Sequence, residues 1–209
     1  MGESVEKYSL ATYGKIIAVT RQMLLNDDLN AFSRLPVALG AQAANLESDA
    51  VWYQILKNAN MNDGVALFHA SHNNVGTGVI ATAGVSAGRE AMAKQKGLDG
   101  VAVLNLEPML LLLPKALQTA AEQFRGQLYP ATTSAVVPDS MTKLAIVAEP
   151  RLDLGVTFDG DTLAGSTLQW FFAVSHRIDA VQERERHAFG ADLCIAALRV
   201  IVHDVVSFF

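Results

Sequence analysis

The chain has little cysteine, little charge and no long apolar run. Cys194 is the one cysteine among 209 residues. A single thiol can form neither an internal disulfide nor a cysteine-rich zinc site, which excludes a stapled extracellular scaffold. Only 18% of positions are charged, and 16 Lys and Arg against 21 Asp and Glu leave a net charge of -5. Met1 to Asn58 holds 5 basic and 6 acidic residues and the remainder 11 and 15, so neither part carries a basic nucleic-acid footprint. The longest stretch free of Asp, Glu, Lys and Arg, Gly64 to Gly88, is broken by five glycines and two histidines. A spanning helix needs about 20 mostly apolar residues, and Met109 to Leu113 is too short, so no membrane span is expected. The opening MGESVEKYSL has no apolar core or cleavage site and is read as no secretory signal, which places synthesis in a cytoplasm. Internal repeats and low-complexity tracts are absent.

What is present is apolar. Hydrophobic residues make up 51% of the chain and mean hydropathy is +0.24, high for a soluble monomer. A chain of this length builds one large domain or two lobes with a sizeable core. The surplus apolar surface belongs in subunit interfaces.

The pattern predicts a mixed α+β fold. Tyr8 to Leu25 is rich in β-branched and aromatic residues, with Gly14 at a bend, and reads as one or two strands. Asn26, Asp27 and Asp28 can cap a long helix running to Lys57. Its stripe is Leu39, Ala43, Leu46, Ala50 and Tyr53, spaced alternately four and three. Pro36 either kinks this helix or lies in the first turn of one capped by Ser33. Gly64 to Gly88 reads as a long loop or hairpin excursion. Ser86 is expected to cap a second helix through Lys96, burying Ala87, Ala91 and Met92. Leu104 to Leu113 reads as a buried strand that passes at Pro114 into a helix ending near Phe124. Tyr129 to Ser140 is turn-rich. Leu144 to Ala148 and Leu168 to Val174 read as strands separated by a loop from Glu149 to Gly165.

Reactive chemistry is poorly supported. His69 and His72 would share one face of a helix, but a catalytic zinc centre needs a third ligand and commonly a general base, and HExxH is absent. Asp153, Asp159 and Asp161 fit no EF-hand spacing, and Asp159-Gly160 is a plain tight-turn dipeptide. Cys194 lies among apolar neighbours and reads as a small buried hydrophobe, not an activated thiolate. No GxGxxG or GxxxxGK[ST] pattern occurs. The expectation is therefore no enzyme, with no catalytic, cofactor-binding or metal residues, and the double change of His69 and His72 to alanine is expected to leave assembly intact. Trp52-Tyr53 and Trp170-Phe171-Phe172 suit either a core or a surface covered on assembly.

Tyr13 to Leu56 resembles the major capsid proteins of tailed phages, specifically the major head subunit family of Mu-like phages. The resemblance rests on TRQMLLNDDL from Thr20, AFSRLP from Ala31 with its alanine-rich helix, and MNDGVALFHASHNN from Met61. It continues through AMAKQKGLDGVAVLNLEPMLLLLPKALQTAAEQ from Ala91 and KLAIVAEPRLD from Lys143, covering Tyr8 to about Val174.

That resemblance implies a Hong Kong 97-type capsid fold, with a partial extended loop over 1–25, a spine helix and peripheral domain over 26–100, an axial domain over 101–145, and returning strands over 146–209. It implies a structural subunit of a phage or prophage icosahedral head, assembling with itself into hexamers and pentamers in the bacterial host cytoplasm. The implied partners are other copies, with portal, scaffold or prohead protease, and DNA enclosed without specific binding. No cofactor or catalytic residue is implied. Family members are longer, and residues 179–209 match poorly. The chain is therefore expected to lack an N-terminal arm and half of the loop, to leave Leu168 to Val174 exposed, and not to close shells by itself. Two rivals are an encapsulin-like nanocompartment shell and a metal-dependent hydrolase using His69 and His72.

Overall fold

A computed structural model describes residues 12–14, 16–18, 20–22, 31–97, 100–126, 141, 143–174 and 206–208. In chain order these form helix α1 (Ala31–Lys57), a 3-10 turn (Ala70–His72), strand β1 (Val75–Gly76), helix α2 (Thr82–Ala93), strand β2 (Leu110–Pro114), a 3-10 turn (Lys115–Leu117) and helix α3 (Gln118–Gly126). There follow β3 (Ala145–Glu149), the short helix α4 (Pro150–Leu154), the hairpin strands β4 (Val156–Phe158) and β5 (Asp161–Leu163), then β6 (Trp170–Ala173) and β7 (Val206–Phe208). The mixture is α+β, as the sequence pattern predicts.

The organising element is a five-stranded mixed sheet in the order β1-β7-β6-β2-β3. Strand β2 runs parallel to β3 and antiparallel to β6, with Leu111 opposite Phe172 and Leu112 opposite Phe171. Side chains alternate across a pleat, so consecutive leucines go to opposite faces. Leu111, Leu113, Trp170 and Phe172 join one core, closed by Val85 and Met92 of α2 and Ala121 and Phe124 of α3. Leu112, Phe171 and Ala173 join a second, closed by Trp52, Tyr53 and Ile55 of α1, Leu152 of α4 and Val156 of β4. Because both faces are covered, every position of the run LLLL can be apolar, the pattern of a doubly buried strand.

The long helix is the longest described element, 27 residues. It is continuous through Pro36, which removes one amide donor near its start. Asn58, at φ 46°, ends it in the left-handed region that asparagine tolerates. The expected capping residues Asn26, Asp27 and Asp28 lie outside the described residues, as do Tyr129 to Ser140, Cys194 and most of 179–209.

Several boundaries differ from the sequence reading. Residues 12–14, 16–18 and 20 are not in a strand, and Arg21 and Gln22 are helical; β propensity yields a strand only where a neighbour completes the ladder. The stretch from Gly64 to Gly88 is not one excursion but contains the first 3-10 turn, β1 and the start of α2. Helix α2 begins at Thr82, ahead of Ser86, with no side-chain cap; it buries Val85, Gly88 and Met92, and Ala87 faces solvent. Gly84 explains the early start: a Cβ there would stand 2.2 Å from the Val79 carbonyl oxygen, so the first turn closes tightly on the preceding chain. Buried packing on the sheet thus overrides capping chemistry. The presumed loop from Glu149 to Gly165 is α4 plus the β4–β5 hairpin. Asp159 and Gly160 both have positive φ, 52° and 80°, the geometry of the two-residue turn that Asp-Gly favours.

Phe172 is fully buried and Leu168 is 71% exposed. Phe172→Ala is expected to cost about 3–5 kcal/mol through lost burial and a residual cavity, whereas Leu168→Ala should stay within about 0.5 kcal/mol. Denaturant unfolding of the two variants checks the contrast, and equal losses would contradict the core assignment.

Candidate assembly surface

The two sequence-singled histidines lie in one loop but do different work. His69 caps the first 3-10 turn, its Nδ1 accepting the Ser71 amide at 3.2 Å and lying 2.8 Å from the Ser71 hydroxyl. His72 points its Nδ1 at the Leu67 carbonyl, 3.0 Å, and its Nε2 at Asp63 Oδ2, 2.8 Å. Both partners are acceptors, so the ring satisfies both only as an imidazolium. The hydrogen bond that His72 donates to Asp63 raises the His72 pKa above its ordinary value, and the Leu67 carbonyl adds to that. Reciprocally, His72 and then the Val65 amide lower the Asp63 pKa. A ring engaged at both nitrogens has no lone pair for a metal. Among the described residues, no group of three or more His, Cys, Asp or Glu could hold one.

The surrounding polar atoms brace this loop. Asn74, buried at 6% exposure, accepts the His69 amide and donates to the Leu67 carbonyl. Asn58 pairs with both backbone groups of Phe68, and Gln95 donates to the carbonyls of His72 and Asn73. Sequence reasoning missed these amides, although Asn73-Asn74 directly follows the histidine motif. Their arrangement is structural: the amides pair with backbone groups of the loop itself.

The three aspartates of the acidic stretch are separated by task. Asp153 accepts the Lys115 and Ala116 amides at 2.5 and 3.2 Å, capping the turn that follows β2. Asp159 forms the hairpin turn, and Asp161 Oδ2 accepts the Tyr53 hydroxyl at 2.9 Å. They do not converge on a cation. Just ahead of them, Arg151 donates from Nε to Asp49 at 2.5 Å and from Nη1 to Glu149 at 2.9 Å.

The aromatic clusters are interior. Trp170, Phe171 and Phe172 are at most 1% exposed, which corrects the expectation that Leu168 to Val174 presents an apolar face; only its leading end does. Both sides of β6 are already occupied by the two cores. Exposed apolar side chains lie elsewhere, singly at positions such as Ile16, Val79, Val101 and Leu154 and as a continuous run on the leading half of α1. Val37 is 74% exposed, with Leu39 and Leu46 at 40% and 37%, so three residues of the expected core stripe, Leu39, Ala43 and Leu46, face outward and only Tyr53 is buried. From Leu35 to Leu46 there is no ionisable side chain. A helix surface that is apolar and charge-free over several turns is the mark of a face that another molecule covers.

The family model for phage capsid proteins matches residues 3–196. The chain belongs to the phage capsid protein family. No curated protein and no solved structure matches it. The family is structural, not enzymatic, and a capsid protein self-associates into a shell around DNA within the virion. No helix among the described residues is long and apolar enough to cross a membrane.

For the capsid protein, the His72–Asp63 pair generates a pH signature. His72's contribution is complete below the ordinary histidine pKa, about 6.5, and is lost as pH rises through its raised folded value. Asp63's is complete above the ordinary aspartate pKa, about 3.9, and is lost as pH falls through its lowered folded value. His72→Gln and Asp63→Asn should therefore lower the Tm most near pH ~5.5 and progressively less on the way to pH ~9. Thermal melts across that range, with NMR titration of His72, check this; a gap that widens with alkalinity would be the opposite sign.

Proposed function

We propose that this capsid protein is the major shell subunit of a tailed-phage head with the Hong Kong 97-type fold, related to the Mu-like major head subunits. Copies associate into hexamers and pentamers that close an icosahedral shell in the host cytoplasm, with a portal, scaffold or prohead protease as further partners. In this reading 1–25 is part of an extended loop, 26–100 the spine helix and peripheral domain, 101–145 the axial domain and 146–209 the returning strands. DNA is enclosed without a dedicated site, in keeping with a net charge of -5, since tight phosphate binding would oppose packaging and release.

The observation that carries the reading is the outward, charge-free half of α1. From Pro36 to Glu47 every side chain is exposed, Ser48 to Val51 are half-buried, and Trp52, Tyr53 and Ile55 are the first fully buried positions. The preceding turns expose alanines, Val37, Leu39 and Leu46. In a shell each subunit meets several neighbours, so symmetry repeats one modest apolar contact many times and a long exposed helix becomes interior to the assembly. This accounts for a mean hydropathy of +0.24 without an unusually large core.

Val37→Glu and Leu39→Glu place carboxylates on that surface at solvent-exposed helical positions. Each variant should unfold within about 0.5 kcal/mol of the parent chain yet lose high-mass species in size-exclusion chromatography with light scattering and in negative-stain images. Undiminished assemblies in both variants would remove this surface from the interface.

A further inference from the structure

The leading half of α1 must leave the folded body in one direction if it is to meet a neighbour in register. Along the helix from Arg34, Asp49 is the first described side chain with a hydrogen bond to another element. It stands where the helix passes from exposed to half-buried surroundings. Its partner, Arg151, lies on α4 immediately after β3 and also grips Glu149, the last residue of that strand, within the same guanidinium. The three side chains are between 17% and 32% exposed, a partly desolvated setting in which a charge-assisted pair is directional. Helix α4 is itself immobilised from two sides. Leu152 is 2% exposed in the second core, and Asp153 receives the two backbone amides that follow β2. The chain therefore runs sheet, α4, Arg151, Asp49, exposed helix, with each link a fixed contact.

We propose that Arg151 is a positioning residue for assembly: its two-armed contact with Asp49 and Glu149 fixes the direction in which the exposed half of α1 leaves the sheet, and so the angle at which neighbouring copies meet. The inference rests on the assembly role of that helix. A planar guanidinium holds two carboxylates in a set relative orientation, which an ammonium on a flexible stem does not reproduce. Aromatic packing at Tyr53 and beyond holds the end of the helix in place, while a contact at Asp49 controls its swing, being nearest to the free half. Charge alone does not supply this control, so Arg151→Lys separates geometry from electrostatics.

The test measures direction first and assembly second. Nitroxides are placed at Ala43→Cys, on the exposed half of α1, and Thr119→Cys, on α3, in a Cys194→Ala chain diluted with unlabelled chain, and their distance distribution is read by double electron–electron resonance. The parent should give one narrow distance, and both Arg151→Lys and Asp49→Asn a broader one, with thermal melts confirming that each variant is folded. Distributions as narrow as the parent's in both folded variants overturn the proposal. Mass photometry of unlabelled protein then reads assembly. Discrete species in the parent and a spread of masses in Arg151→Lys support the inference, whereas unchanged masses beside a broadened distance overturn its link to assembly. A parent chain that stays monomeric at every concentration overturns the assembly role of α1 and, with it, that link; the distance measurement still decides whether Arg151 sets the helix direction.

Discussion

The structure depends on the pairing of β2 with β6, buried on both faces. Each strand contributes alternate side chains to two cores, so Leu111 and Phe172 serve one side while Leu112 and Phe171 serve the other. A strand pair hidden from water on both sides cannot slip by one residue without exchanging every side chain between cores of different shape. Its register therefore fixes where α2 and α3 pack, and independently where the end of α1, α4 and the hairpin pack. Trp170 illustrates the coupling: its ring meets Phe172 edge-on at 5.1 Å, and its indole donates to the Gly78 carbonyl at 3.0 Å. That bond ties the irregular stretch after β1 to the sheet.

Given that frame, α1 is divided between two surroundings. One end of the helix is part of the second core, with Trp52, Tyr53 and Ile55 buried. The other has solvent where a globular monomer would place either protein or charge. The two ends differ in composition: the buried end carries large shaped side chains, and the exposed end mostly small and apolar ones. Gly40 meets nothing within 4 Å, so a Cβ there would be free of strain in the single chain. Pro36 is tolerated because it lies close to the start of the helix, where fewer amides have intrahelical partners.

Polar side chains act at the seams between these parts. Asn74 and Asn58 replace backbone pairing that the irregular loop around His69 cannot make for itself. Asp153 caps the turn beyond β2, and Asp161 receives the Tyr53 hydroxyl, joining α1 to the hairpin. Gly155 shows how closely those parts meet. At φ 88° it lies where a Cβ would stand 2.0 Å from the Leu163 carbonyl oxygen, so only glycine lets α4 turn into β4 against β5. Of these contacts, those of Asp153 and Asp161 join elements distant in sequence.

The sequence by itself determined the α+β class, the helix ending at Lys57, a buried strand through Leu113, of which only Leu110 onward is strand, and the Asp159-Gly160 turn. Those features are written in spacing, in proline and glycine stereochemistry and in residue type, all local properties. A quoted motif also contained Arg151, yet nothing local reveals that its partner is Asp49, 102 residues away. Tertiary structure alone decided that Trp170 to Phe172 is interior, because the faces of a strand acquire meaning only when both are covered. It decided too that Leu39, Ala43 and Leu46 face outward although their spacing matches a buried stripe, since periodicity defines a face and not its occupant. The start of α2 at Thr82 and the coil conformation near Tyr13 have the same origin: the sheet supplies packing to one segment and no described strand partner to the other.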